Sequence, residues 1–212
     1  MEQKNRPVGI SVEKMSFLKE KIISETRKLF SQKGFMSTSI TDILLATGAS
    51  KGGLYNHFNG KEALFYAVLE QSRSIWREKN LAGLDQIDSP IKKLIRFLEN
   101  YRDNYMIDHE KFPGGCIFVN LSVELDDQLP HLARELEKGF IGLKRMIKRY
   151  LEKAKNDCEL LDEIDDITLN NAIEIVTSSA IGAAVMYSQN KSVSDLYRTM
   201  SSLIDYVKSL IK

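Results

Sequence analysis

Apolar residues recur along this chain mostly every three or four positions, the spacing of helices that bury one face. No segment shows the sustained alternation of apolar and polar residues that marks a half-buried strand. The first apolar stripe predicts a helix from Met15 to Gln32, and Gly34 follows it as a stop signal. We therefore expect an all-α fold of about nine helices.

Start and stop signals divide the next stretch into short helices. Residues 39–42, Ser-Ile-Thr-Asp, have the shape of an N-terminal cap, and the helix that they begin ends at Gly48. Ser50 caps a further helix that is too short to be stable alone. A fourth helix begins near Lys61 and runs to about Lys79.

The remainder predicts five further helices, separated by residues that favour breaks. A linker covers residues 81–88, and Ser89-Pro90 supplies a cap and a first-turn proline for the next helix. Residues 112–115, Phe-Pro-Gly-Gly, break the chain again. The helices that follow are expected at about 117–125, from Pro130 onward, and at about 164–189 and 193–211.

Composition and charge point to a soluble protein with a local basic region. The chain has 43% hydrophobic and 28% charged residues, as in ordinary globular proteins, and a net charge of +1. Residues 1–61 carry ten Lys and Arg against five Asp and Glu, whereas residues 62–212 carry 20 against 24. A basic N-terminal third on a mildly acidic body indicates separate tasks for the two parts.

Cysteine usage and hydropathy favour a reduced, cytoplasmic setting. Cys116 and Cys158 are too few for a disulfide scaffold and lack metal-ligand spacing, so we expect no metal and no cofactor. The N-terminus has no signal-peptide core. The weakly charged stretch from Ile175 to Asn190 is too short and too polar to span a bilayer, which argues against a membrane partner.

The segment from Gly34 to Leu64 carries the most specific chemistry. It predicts a helix, a tight glycine turn and a second helix with a polar face, an arrangement that seats its second helix in the DNA major groove. The amides after Ser50 favour a phosphate, and Lys51 can reach a base edge or a phosphate. Gly52 and Gly53 allow a close approach of the backbone. Tyr55 and His57 can donate hydrogen bonds to phosphate oxygens.

This segment closely resembles the DNA-binding domain of the TetR family. The shared residues are Gly34-Phe35, Thr38-Ser39, Asp42-Ile43, Gly48, Ser50-Lys51-Gly52, Leu54-Tyr55, His57-Phe58 and Lys61-Glu62. The resemblance covers the first quarter to third of the chain. It implies a recognition helix from Ser50 to Phe58, with base-edge contacts from Lys51, Gly52, Gly53 and Asn56, helped by Thr41. Phosphate contacts would come from Ser39, Tyr55, His57 and Lys61.

The resemblance also implies a domain organisation and a homodimer. We expect a flexible basic arm over residues 1–14, the helix-turn-helix domain over 15–61, and a helical-bundle domain for ligand binding and dimerisation over 62–212. Small residues in the penultimate helix let helices approach closely, either between protomers or within one. The predicted dimer residues are Ser179, Gly182, Ala183, Met186, Leu196, Met200, Leu203 and Val207.

Aromatic and polar residues in the second domain suggest a small-molecule pocket of mixed character. The candidates are Trp76, Phe97, Tyr101, Tyr105, Phe112, Cys116, Phe118, Asn120, Glu124 and His131. Each residue taken singly is equally compatible with a place in the core or on the surface.

Cys116 follows two glycines at the predicted start of a helix, where the helix dipole favours a thiolate. The string GGCIFVNLSVELDD resembles a subgroup of the family in which an equivalent cysteine senses electrophiles or oxidants. A buried and inert thiol is the alternative. Cys158 is interpreted as structural or incidental.

Together these features predict a dimeric transcriptional repressor. It would leave a palindromic double-stranded operator when a small-molecule effector binds or when Cys116 is modified. One alternative is a constitutive dimeric DNA-binding protein without an effector. The other is a helical-bundle enzyme, which the sequence disfavours because His57, His109 and His131 belong to no metal-binding or catalytic pattern.

Overall fold

The computed structural model describes the backbone of residues 8–212 and the side chains of residues 15–212. Within that part of the chain there are nine α-helices and no strand beyond one isolated bridge between Leu160 and Ile211. The all-α prediction is therefore confirmed. The helices are α1 (Val8–Lys33), α2 (Ile40–Thr47), α3 (Lys51–Tyr55), α4 (Lys61–Asn80), α5 (Pro90–Asn100), α6 (Ile117–Leu125), α7 (Pro130–Asn156), α8 (Asp166–Asn190) and α9 (Val193–Lys208).

Short-range capping chemistry explains where most of these helices begin. Ser39 and Asp42 form a reciprocal capping box at α2, and Ser50 accepts a hydrogen bond from Gly53 N–H at α3. Gly48 ends α2 with a φ of +67°, a conformation that glycine adopts without strain. At the start of α5, the Ser89 side chain accepts a hydrogen bond from Lys92 N–H, and Pro90 follows it in the first turn.

Two elements differ from the sequence prediction. Helix α1 begins at Val8, seven residues before the predicted start at Met15, because the apolar stripe on which the prediction rested begins only at Leu18. Part of the predicted arm is thus helical backbone, while residues 1–7 lie outside the described part. Helix α5 ends at Asn100, and a π-helical stretch continues over Tyr101–Met106. Stretches of this kind are frequent at functional sites.

The helices form a small N-terminal group and a larger bundle. Helices α1, α2 and α3 pack around Ile22, Phe30, Ile43 and Leu54, all fully buried. Helices α5, α7, α8 and α9 form the bundle, α4 packs on both groups, and α6 contacts α1, α7 and α8. Helix α8 is long and apolar enough to cross a membrane, but nearly half of it is buried, as in the core helix of a bundle.

Candidate functional site

Helix α3 presents a polar face to solvent while its apolar residues fix it to the domain. Leu54 is fully buried and Phe58 nearly so, and they anchor the helix against the core. The opposite face exposes most of the residues predicted to contact DNA. Exposed on this surface are Thr41, Ser50, Lys51, Gly52, Tyr55 and Asn56, with Gly53 and His57 half-buried beside them.

Ser39 and Lys61, both predicted to contact phosphate, also make side-chain hydrogen bonds within the chain. The Ser39 hydroxyl donates to Asp42 Oδ2 at 2.7 Å and accepts from Asp42 N–H at 3.1 Å. Lys61 Nζ donates to the carbonyls of Phe35 at 2.9 Å and Thr38 at 3.0 Å. Both residues therefore hold the turn before α2 in place. The sequence motif marked them as important without revealing that they act on backbone groups.

Glu124 is the clearest departure from the predicted pocket. Its carboxylate accepts hydrogen bonds from the backbone N–H of Phe35 at 2.7 Å and of Met36 at 2.8 Å. Gly34, with a φ of +81°, lies so close that an added Cβ would clash with the Glu124 carboxylate. The end of α6 thus holds the turn between α1 and α2, and we call this contact the Glu124 clasp.

The loop before α6 makes a second set of contacts with α1. Ser31 Oγ accepts a hydrogen bond from Gly114 N–H at 2.9 Å, and Asn120 Nδ2 donates to the Ser31 carbonyl at 3.2 Å. The buried Arg27 guanidinium donates through Nε to the Lys111 carbonyl at 3.2 Å. Burial lowers the pKa of Arg27, and the neighbouring Asp108 opposes that shift. The DNA-binding group is therefore attached to the body along one face of α1.

A cavity of about 490 Å³ lies between α4, α6 and α7. This volume falls in the range of small-molecule sites, about 300–1,000 Å³. Four of the predicted pocket residues line it: Trp76, Tyr101, Cys116 and Phe118. The lining that the sequence prediction missed comes mainly from α4 and α7, with one residue of α8: Glu70, Arg73, Arg77, Leu136, Lys138, Gly139, Phe140, Gly142, Leu143, Met146 and Ile181, together with Val119 of α6.

The remaining six predicted pocket residues lie elsewhere. Phe97, Tyr105 and Phe112 are buried in an aromatic row, with neighbouring ring centroids 5.3–6.2 Å apart, that continues Trp76 and Tyr101 into the core. Asn120 and Glu124 face α1 and line a separate groove of about 570 Å³. His131 is exposed and contacts Glu62 at 3.1 Å. Residue type was enough to predict the aromatic residues at the cavity. The direction in which each side chain points depends on how the helices pack, which residue type does not show.

Cys116 occupies the N-cap position of α6 at the inner end of the cavity. Its Sγ lies 3.6 Å from the Tyr105 hydroxyl and is almost fully buried. Burial raises the pKa of the Cys116 thiol, although the amides of Val119 and Phe118 act in the opposite direction. The helix terminus thus favours the thiolate, as the sequence predicts, but desolvation outweighs it. Cys158 is exposed.

The predicted dimer residues divide into two groups. Five of them are already buried within one protomer and cannot form a surface: Ala183, Leu196, Met200, Leu203 and Val207. Gly182 and Ser179 are half-buried, whereas Met186 is 55% exposed. These three share a face of α8 with the exposed Ile175. The apolar stripe of α9 packs against the bundle, so its helical periodicity indicates core residues of one protomer and not an interface between two.

A search of the described side chains finds no group of three or more His, Cys, Asp or Glu residues that could hold a metal ion. The three histidines are dispersed: His57 lies beside α3, His109 accepts or donates to the Tyr187 hydroxyl, and His131 contacts Glu62. No catalytic arrangement is built from them.

Two family models match this chain. The model described as "Bacterial regulatory proteins, tetR family" matches residues 22–68. The model described as "Tetracyclin repressor-like, C-terminal domain" matches residues 90–200, about half of the chain. The first match covers the helix-turn-helix, and the second covers the helices of the bundle from α5 to α9.

Curated relatives agree with these matches. An HTH-type transcriptional regulator of the lacX 3′ region of Lactococcus lactis subsp. lactis is 34% identical over 135 residues, or 63% of this chain and 67% of that protein. The HTH-type transcriptional repressor NemR of Escherichia coli (strain K12) is 24% identical over 141 residues, or 66% of this chain and 70% of its own. Both relatives are transcriptional regulators.

A solved structure with the same architecture is that of a TetR transcriptional regulator from Chloroflexus aurantiacus J-10-FL. The two chains are 25% identical and superpose with a TM-score of 0.80 over 94% of this chain and 98% of the other. The arrangement of the N-terminal helices on the bundle is therefore shared.

Proposed function

Because this chain belongs to the TetR family of bacterial regulatory proteins and is a DNA-binding transcriptional regulator, we propose that it is a repressor released from its operator by an effector bound in the α4–α6–α7 cavity. The observation that carries the proposal is the position of α6. This nine-residue helix has its N-cap Cys116 and its residue Phe118 at the cavity, and its residue Glu124 on the turn between α1 and α2. A molecule in the cavity therefore contacts the same rigid element that holds the DNA-binding domain.

DNA recognition is assigned to the exposed face of α3 and the end of α2. Lys51, Gly52, Gly53 and Asn56 would face base edges, with Thr41 beside them. Tyr55, His57 and the Ser50 cap would contact phosphates, since Ser50 uses its oxygen as an acceptor and keeps its hydroxyl proton available. Ser39 and Lys61 would support this surface from within.

A homodimer is proposed through the outer face of α8. Ile175, Gly182 and Met186 lie on this face, and small residues allow a close two-fold approach. Two recognition helices would then read a palindrome with half-sites about one helical turn, roughly 10 base pairs, apart. Such a regulator of chromosomal DNA would act in the cytoplasm.

Release requires that the effector favour an arrangement that does not bind DNA. Movement of α6 by even a side-chain radius would stretch the Glu124 clasp, whose hydrogen bonds are only 2.7–2.8 Å long. A coupling free energy of about 1–3 kcal/mol changes operator affinity by roughly 5- to 150-fold. The attachment of α1 through Ser31 and Asn120 would transmit the same movement.

Modification of Cys116 is a second route to the same movement, supported by the place of its thiol on the cavity wall. The raised pKa of this thiol slows any reaction that needs the thiolate. A constitutive DNA-binding protein would need no internal space, so the cavity favours the effector-controlled reading.

The test combines a thermal-shift screen with DNA binding. Compounds that raise the melting temperature are tested for release of a fluorescent operator duplex, measured by anisotropy. We expect both effects to disappear in Met146→Trp, which fills the cavity. Compounds that stabilise the protein but leave operator affinity unchanged would contradict effector-controlled release.

A further inference from the structure

The mouth of the cavity carries a cluster of cationic side chains. Arg73 and Arg77 come from α4 and Lys138 comes from α7, and all three line the cavity. Arg73 Nη2 donates to the Glu135 carbonyl at 2.8 Å and so bridges the two helices. Arg77 and Lys138 are more than half exposed, which places their charges at the solvent end.

The carboxylates at this mouth are fewer than the cations. Glu70 is the one acidic residue in the lining, and Arg77 Nη2 contacts its Oε1 at 3.1 Å. Glu135, outside the lining, pairs with Lys138 and lies 3.7 Å from Arg73. Three cations therefore face two carboxylates, and the excess charge is positive. A ligand carrying one negative group would complete this cluster.

The inner part of the cavity is apolar and largely aromatic. Trp76, Phe118 and Phe140 form its walls, with Met146 as an adaptable neighbour. Tyr101 and Cys116 close the inner end, and burial raises the pKa of both groups, so the inner end is uncharged at neutral pH. Charge is thus confined to the mouth.

Two glycines of α7 line the cavity at its mouth. Gly139 and Gly142 both line the cavity, and a Cβ added at either would meet nothing within 4 Å. Glycine is a poor helix former, so two of them within a 27-residue helix are unfavourable for the helix itself. Their place beside the cationic cluster gives the ligand a passage between α4 and α7.

We propose that the effector is an amphipathic monoanion. Its aromatic or branched apolar body would occupy the space between Trp76, Phe118 and Phe140. Its carboxylate or sulfonate would lie at the mouth on Arg77 and Lys138, where it takes the place of Glu70 on Arg77. This inference rests on the proposed function, because it names the ligand class of the same cavity.

A matched pair of fluorescent probes tests the charge requirement. 1-Anilinonaphthalene-8-sulfonate carries a sulfonate, and N-phenyl-1-naphthylamine has the same ring skeleton without it. We expect the full-length protein to bind the sulfonate at least fivefold more tightly in fluorescence titrations, although the neutral probe is more apolar. Arg77→Gln and Lys138→Gln should each weaken sulfonate binding by about 5- to 10-fold and leave the neutral probe within twofold.

Two further variants serve as controls. Arg145→Gln removes the same charge from an exposed position of α7 that does not line the cavity, and both probes should bind it as they bind the unmodified protein. Gly142→Leu fills the passage without disturbing the helix, and both probes should lose affinity. Circular dichroism of each variant establishes that it is folded.

Each outcome separates the two proposals. Equal binding of both probes, together with no effect of Arg77→Gln or Lys138→Gln, would overturn the anionic ligand class and leave the cavity intact. Sulfonate binding that Gly142→Leu does not reduce would place the probe elsewhere and also overturn it. A neutral compound that competes for the cavity and releases operator DNA would keep the proposed function while contradicting this inference.

Discussion

Glu124 accepts a 2.7 Å hydrogen bond from the backbone N–H of Phe35, although the two residues are 89 positions apart in the chain. Phe35 is nearly fully buried in the DNA-binding group, and Glu124 lies in the last turn of α6, the helix that begins at the cavity. Burial lowers the pKa of Lys61, and the same carboxylate opposes that shift. One acidic side chain therefore acts on two groups that hold the turn before α2.

Glu124→Ala should weaken DNA binding without removing a DNA contact. Loss of two charge-assisted hydrogen bonds at a partly exposed site should lower the free energy of unfolding by about 1–2 kcal/mol. Operator affinity should fall severalfold because the helix-turn-helix is no longer held in one arrangement. Chemical denaturation and anisotropy titrations measure the two effects. The exposed Glu137→Ala is the matched control, and an equal loss of operator affinity in both variants would contradict the clasp.

Lys61→Met should be destabilising, in contrast to the same change at Lys51. Lys61 Nζ donates to two carbonyls and lies 4.4 Å from the centroid of the Phe35 ring, whereas Lys51 is exposed. We expect a loss of about 1–2 kcal/mol for Lys61→Met and less than about 0.5 kcal/mol for Lys51→Met. Urea unfolding of both variants measures this difference. Equal stabilities would show that the internal hydrogen bonds of Lys61 contribute little.

The two cysteines should differ in reactivity and pH dependence. Burial raises the pKa of Cys116, so iodoacetamide at pH 7.5 should modify the exposed Cys158 first. Labelling of Cys116 should accelerate only as the pH rises above the ordinary thiol value of about 8.5. Mass spectrometry follows each site, with Cys158→Ser as control. Labelling of Cys116 at neutral pH as fast as that of Cys158 would contradict the raised pKa.

The same shift predicts the sign of a stability change. The folded protein keeps the Cys116 proton to a higher pH than the unfolded chain does. The stability that the protonated Cys116 contributes to the folded state is therefore fully present below the ordinary thiol pKa. It is lost as the pH rises through the raised pKa of the folded state. Cys116→Ala should remove this alkaline component of the unfolding free energy.

Met186→Glu should dissociate the proposed dimer. Met186 is 55% exposed on the outer face of α8, where a two-fold axis would bring two new carboxylates together. Sedimentation velocity should show a dimer for the unmodified chain and a monomer for this variant. Ile141→Glu changes a residue that is 48% exposed on α7 and should leave the dimer intact. A dimer that tolerates Met186→Glu would require a different interface.

The helix-turn-helix was predictable because its signals are local. The capping box of Ser39 and Asp42, the left-handed Gly48 and the Ser50 cap each depend on residues within a few positions of one another. The polar face of α3 follows from the burial of Leu54 and Phe58 on its other side. Local chemistry and tertiary packing agree in this segment.

The cavity was predictable only in part because its lining depends on how distant helices face one another. Trp76 and Phe118 were predicted from their residue type and line the cavity. Glu124 was predicted in the same way, but its side chain faces α1 instead. The π-helical stretch after Asn100 also departs from the regular 3.6-residue period on which the sequence prediction relies.

The sequence carries one further signal of the cavity. Gly139 and Gly142 are poor helix formers within a long helix, and both line the cavity. In the dimer prediction, by contrast, a clear signal had another cause. The apolar stripe of α9, which includes Met200 and Leu203, is buried in the core of one protomer.

Selection of DNA from a random duplex library tests the central claim most directly, that the exposed face of α3 reads an operator as one half of a two-fold pair. The full-length protein should enrich a palindrome with half-sites about one helical turn, roughly 10 base pairs, apart. Lys51→Ala should change the preferred bases, whereas Lys148→Ala, which removes an equal charge from the exposed side of α7, should not. Enrichment of no sequence at low ionic strength, or identical preferences in Lys51→Ala, would contradict the account.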